Sequence, residues 1–298
     1  MTSTPPPTRA RQAASQWGPL RAEFRPAVLP AAVLGAAVAA VATTRAVLLY
    51  LDAFSRGTAN TDANLLTLRS APGALQSAAW HHASLLGLFF VALLGAVVLA
   101  GALESGTWPL MRLQESRVWL LMTRKLLAVL SLAVLSMGST AVVLWTAMRV
   151  CTAMWQPDEP RSSVAPLVES TGTSGPTWGD ALEAGGSTLL VLSGYAAIGA
   201  FVAAATRGVI AAAVLGAGPL TVTLPLVTTG FRDWTPHYWI AAWMEFPDGG
   251  QWQLYWWSSA PGSGGAGTAG FVLAVLSGGL LVGAWCLLRA ERALSPRI

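Results

Sequence analysis

Lysine is all but missing from this 298-residue chain: 17 of its 18 basic residues are Arg, and Lys125 stands alone. Charge of either sign is scarce. Charged residues make up 11% of the chain and hydrophobic ones 54%, where a soluble domain carries about 25% charged residues. That scarcity excludes a disordered chain and an ordinary soluble enzyme, and it points to a polytopic membrane protein. The net charge of +4 gathers in no single basic patch, so no nucleic-acid partner is expected. The excess of Ala and Arg points to a GC-rich bacterial genome. The two cysteines, Cys151 and Cys286, fall near opposite membrane faces in the topology below. A bridge within the chain is thereby excluded, and both read as apolar fillers.

Motifs for chemistry are missing as well. A phosphate-binding loop needs GxxxxGK[ST], and the one lysine stands in "MTRKLL" without glycines. No Ser/His/Asp or Cys/His constellation shares one membrane face. No catalytic residue, metal site or directly bound cofactor is therefore expected. Asp, Glu and Lys are absent from the middle of every apolar segment, which leaves a proton- or sodium-coupled pump without a coupling group. Arg45 lies close enough to a segment end to snorkel. His81 and His82, beside Trp80, read either as interfacial belt residues at an outer mouth or as a metal or proton site. Any uphill work must be fuelled by another subunit.

What is present is a series of apolar runs. A membrane span needs about 20 such residues, and six segments qualify: Pro26–Leu51, His82–Leu103, Leu126–Met148, Ser187–Thr206, Gly208–Thr229 and Thr268–Leu288. No cleavable signal peptide is expected, because the first run is too long and too far in. The loop set formed by 1–25, 104–125, Arg207 and 289–298 carries twelve basic and four acidic residues. The opposite set carries six basic and ten acidic. Arg and Lys concentrate on the cytoplasmic side, so both termini are expected inside a bacterial plasma membrane. The expected fold is all-α and integral to the membrane, with a cytoplasmic tail at 1–25 and a six-span domain at 26–298. Within that domain lie a segment at 104–125, a Pro/Ser/Thr/Gly-rich outer loop at 149–186 and a Trp-rich outer loop at 230–267.

The most informative stretch is "LAGALESGTWPLMRLQESRVWLLMTRKLLAVLSLAVL", Leu99 to Leu135. The second span ends at Glu104. Ser105-Gly106-Thr107 is a turn and helix-start signal, and Pro109 suits a first helical turn. Trp108, Met111 and Glu115 recur at helical spacing, as do Leu110, Gln114 and Val118. From these residues alone the segment reads equally as a short coupling element or as a positive-inside loop without a partner. The stretch resembles the permeases of type 2 ABC transporters. There a cytoplasmic segment joins spans 2 and 3 with Glu, then Gly-Thr, a short helix, a basic residue and a Lys-Leu-Leu-like start to span 3. Glu104, Gly106-Thr107, Arg117 and Lys125-Leu126-Leu127 carry that likeness. The family's "Leu-Leu-x-x-Pro-x-x-Arg" run is replaced by "PLMRLQESR". The resemblance implies that 104–125 holds a coupling helix seated on an ATPase, with Glu104, Gly106, Thr107, Arg112, Glu115, Arg117, Arg124 and Lys125 as its contact residues.

Two further elements flank the spans. Before span 1, Ala10, Ala13, Ala14, Trp17, Leu20 and Phe24 recur at steps of three and four between arginines, which predicts an interfacial helix interrupted by Gly18-Pro19. In the last outer loop, Trp239 and Trp243 are four apart, as are Trp252 and Trp256, with Pro247-Asp248-Gly249-Gly250 between. Two short outer helices are predicted between spans 5 and 6. Their aromatic faces read as an outer gate or cap, as stacking surfaces for a ligand, or as plain anchors in the interface. Gly279 and Gly283 form a small-xxx-small pair, and Gly216, Gly218, Pro219 and Pro225 predict a kinked span 5.

The resemblance implies the transmembrane subunit of an ABC exporter, moving an amphipathic or hydrophobic compound such as an antibiotic, drug or peptide. It further implies a second permease subunit, with a homodimer favoured, and two copies of a separate ATPase that binds the ATP and magnesium. The alternative is a membrane sensor or assembly protein that binds a partner through its outer loops.

Overall fold

The computed structural model describes residues 9–55, 63–115, 117–154, 176–222, 239–240, 243–244 and 266–294. Every regular element among them is helical: α1 (Arg9–Ser55), α2 (Ala63–Arg69), α3 (Ala71–Ala83), α4 (Leu85–Glu104), α5 (Thr107–Gln114), α6 (Val118–Met154), α7 (Trp178–Thr206), α8 (Val209–Val222) and α9 (Ala266–Leu294). Five stretches are long and apolar enough to cross a membrane, namely Ala27–Ser55, Leu86–Glu104, Val118–Met154, Trp178–Thr206 and Val272–Arg289. The chain is an all-α, multi-pass membrane protein. Five of the six expected spans thus correspond to a helix long enough to cross. Of the fifth, Gly208–Thr229, the described part is α8, with the apolar stretch Val209–Gly218, and residues 223–229 lie outside the described residues.

Small residues set the packing. Helices surrounded by lipid gain little from hydrophobicity alone and associate where small side chains let backbones approach. Gly199 of α7 is such a point, because a Cβ there would lie 2.5 Å from the Ala92 carbonyl oxygen of α4. Gly95 faces Ala196 across the same seam, and further along Ala96 and Ala100 share a buried cluster with Ala200, Ala203 and Ala204. The helices α4 and α7 therefore run the same way. Gly194 of α7 meets Ser277 of α9, and Phe201 covers Gly283, so α9 joins that direction. Gly279, the other half of the expected small pair, faces open space. On the other side Gly35 of α1 approaches Ser136 of α6, and later in both helices Tyr50 clusters with Met148 and Cys151. The helices α1 and α6 are thus parallel too. Between them runs an apolar trough of about 680 Å³, lined by Val28, Ala32, Ala36 and Ala39 on α1 and by Leu135 and Ser139 on α6.

Four expectations change. The interfacial helix and span 1 form one continuous backbone helix from Arg9 to Ser55, through Gly18-Pro19, Pro26 and Pro30. Prolines inside membrane helices are tolerated when neighbours re-satisfy the freed carbonyls. The connection before span 2 is helical as well. Ser70 caps α3 by accepting from the Gly73 amide at 3.1 Å, and Pro72 sits in the first turn. The α3 face made of Gly73, Ala74, Ser77, Ala78 and Ala79 is buried against the bundle. Residues 178–186, expected in the outer loop, instead open α7 with a capping box between Thr177 and Asp180.

The fourth change concerns polar groups. Arg45 does not snorkel: both terminal guanidinium nitrogens are buried. They line a cavity of about 40 Å³ with Gln76, Ser77, Trp80 and His81. The histidines face the inside of the bundle and not its surface, His81 being 5% exposed and His82 fully buried. His82 donates from Nδ1 to the Ala78 carbonyl at 2.9 Å, and its Nε2 meets the Ser136 hydroxyl at 3.0 Å. That contact ties α3 to α6. Thr188 ties α7 to α3 by donating to the Ala79 carbonyl at 3.1 Å. Both cysteines are free, Cys151 buried and Cys286 exposed.

Candidate functional site

The segment between α4 and α6 lies at the arginine-rich end of the bundle, where α4, α7 and α9 finish and α6 and α8 begin. It starts with a tight turn. The Ser105 and Gly106 amides fold back onto the Gly101 and Leu103 carbonyls. Gly106 then takes φ +68°, a left-handed conformation that strains any residue with a Cβ. The Thr107 hydroxyl donates to the Ala102 carbonyl at 3.2 Å and meets the Ser105 hydroxyl at 3.0 Å. This chain reversal starts α5 within two residues of the end of α4.

The helix α5 is held from beneath. Trp108 is 1% exposed and sits among Leu99, Val118, Leu121, Ala204, Ala212 and Leu288. Burial of such a side chain dominates local energetics, and its removal costs about 3–5 kcal/mol in a packed core. Arg112, one helical turn on, reaches the end of α9 and donates to the Leu288 carbonyl at 3.5 Å. The opposite face is bare: Leu110 is 62% exposed and Leu113 83%. A short amphipathic helix thus buries a tryptophan inward and presents two leucines outward.

Of the residues expected to form the coupling contacts, Glu104, Gly106, Thr107 and Arg117 are exposed around this helix. Glu104 has a partner inside the chain. Its Oε2 accepts from the Val209 amide at 2.7 Å, so a carboxylate on the last residue of α4 caps the first turn of α8. The positive end of a helix dipole favours that placement. Glu115 accepts from the Arg117 amide at 3.2 Å and stands 3.8 Å from Arg124, a surface ion pair of little energetic weight. Lys125 belongs elsewhere. It is 5% exposed and its Nζ donates to the Val98 carbonyl at 3.1 Å, so it braces α6 against α4 and drops from the outward face. Arg112, aimed at Leu288, is likewise turned inward.

The Trp-rich region is described at four residues. Ile240 and Met244 are buried in the same cluster as Leu192 and Leu273, with Trp239 and Trp243 packed against it. The Trp243 indole donates to the Ser187 carbonyl at 3.2 Å, and its ring presses on Gly270. Trp243 therefore bridges the early parts of α7 and α9, at the end of the bundle opposite α5. Trp252 and Trp256 lie outside the described residues. Among the described residues no three His, Cys, Asp or Glu side chains come together as a metal site requires.

Sequence reasoning missed the contacts that tie distant parts of the chain, among them Glu104 to Val209, Arg112 to Leu288, Lys125 to Val98, Trp243 to Ser187, Thr188 to Ala79 and His82 to Ser136. All join residues far apart in the chain, and spacing cannot pair them. Comparison with family profiles, with curated proteins and with solved structures gives no match to this chain.

Proposed function

We propose that this chain is the permease subunit of an ATP-driven exporter in a bacterial plasma membrane, built on six spans with both termini in the cytoplasm. It works as a dimer with a second permease subunit, and each half seats one copy of a separate ATPase that binds the nucleotide. The cargo is an amphipathic or hydrophobic compound, in keeping with a trough between α1 and α6 that carries no fixed charge. The observation that carries this reading is α5. It is a short helix locked to the bundle on one face by Trp108, with Leu110 and Leu113 bare on the other. A helix so anchored passes a push on its outer face to the spans it joins, which is what a subunit without its own fuel needs. Glu104 supports the same reading, since it couples the root of α5 to the start of α8.

The first test is the neighbouring gene: a reading frame with GxxxxGK[ST] beside this one is expected, its absence favours the sensor reading, and where present its ATPase is co-expressed with this chain. Leu110→Glu combined with Leu113→Glu is expected to abolish ATPase co-purification and efflux while leaving the melting temperature of the permease unchanged. Full efflux by that variant removes the assignment. Orientation is checked in a Cys286→Ala background: Leu113→Cys is expected to react with a membrane-impermeant maleimide only in inverted vesicles. Labelling from the cell exterior turns the topology over and ends the proposal.

A further inference from the structure

Next to α5, a second feature opens sideways from the bundle. Trp119, Met122 and Leu126 on α6 and Leu281, Val282 and Trp285 on α9 line a groove of about 390 Å³, a volume in the range of ligand pockets. The walls are apolar throughout, because the Thr123 hydroxyl is turned back on its own helix and donates to the Trp119 carbonyl at 2.9 Å. Trp119 opens α6, and Trp285 lies in the last turns of the apolar stretch Val272–Arg289. Two tryptophans at matching levels on adjacent helices mark the membrane–water interface. Trp119 and Val282 are more than half exposed, so the groove faces outward.

Its mouth is cationic. The Arg289 guanidinium lies over the Trp285 ring, 5.0 Å from the centroid, and is open to solvent. Glu115, the nearby carboxylate on the α5–α6 connection, faces Arg124. An apolar slot between two spans, capped by the Arg289 guanidinium at interface level, is complementary to an amphiphile with an anionic head. We infer that this groove binds one anionic phospholipid, its acyl chain between Trp119 and Trp285 and its phosphate at Arg289. The inference rests on α6 and α9 and stands apart from the transport reading.

Full-length protein in micelles doped with equal phosphatidylglycerol and phosphatidylcholine is read by native mass spectrometry. The expected result is preferential retention of one phosphatidylglycerol, weakened about tenfold by Arg289→Gln, as loss of one charge-assisted contact predicts. Phosphatidylglycerol with brominated chains is expected to quench tryptophan fluorescence more in the native protein than in the Trp119→Phe, Trp285→Phe variant. Its phosphatidylcholine counterpart is expected to quench the two equally. Equal retention of both lipids, or no effect of Arg289→Gln, overturns the inference. So does disulfide cross-linking of Val282→Cys to a second copy with neither lipid retained, which would give the groove to a protein neighbour.

Discussion

At the arginine-rich end of the bundle, Glu104 and Arg112 place their charges on backbone groups beside α5, the Val209 amide and the Leu288 carbonyl. At the other end, around α3, the polar groups are inside: His82 meets Ser136, and the Arg45 guanidinium shares a cavity with His81. The first arrangement sets a short helix in place while leaving one face free. The second locks α3 between α6 and α7, where lost contacts leave polar atoms with no water to replace them. The end that presents a surface is tethered at its edges, and the end that is closed is riveted from within.

That contrast can be broken by mutation. The largest effect is expected from Trp108→Ala, which removes the anchor under α5. It should lower stability by about 3–5 kcal/mol, read as a fall in melting temperature in detergent, and on the proposed reading it should release the ATPase as well. A smaller loss, about 1–3 kcal/mol, is expected from His82→Leu, because the Ser136 hydroxyl loses its cross-helix partner. The double variant with Ser136→Ala should cost less than the two single changes together, and strict additivity would dissolve the rivet. Next comes Gly106→Ala, which places a Cβ in a left-handed turn at about 1–2 kcal/mol; an unchanged melting temperature would mean that the turn relaxes freely. Smallest is Glu115→Gln. The Arg124 pair is a surface contact, and a change of about 0–1 kcal/mol is expected. A larger drop would show that the rim holds more than its geometry implies.

The long spans were legible because a run of apolar residues long enough to cross a bilayer has few other folded uses. The helix α3 was not. Its Ala, Ser and His residues make no such run, and its burial depends on a face of small side chains meeting α6 and α7. Lys125 carried a readable signal that the basic entry pattern masked. It falls on the stripe Val118, Leu121, Met122, Ala128, Val129 and Leu132, all buried, so helical phase alone turns it inward. The same phase joins Arg112 to Trp108. Glu104 was legible as an exposed acid at a span end. Its partner was not, since 105 residues separate it from Val209.

The contact of Gly199 with the Ala92 carbonyl has a consequence for permeation. With backbone against backbone, α4 and α7 leave no gap for a solvated solute at that point. On the proposed transport reading, cargo has to part other helices, and the trough of about 680 Å³ between α1 and α6 offers a seam for it to enter.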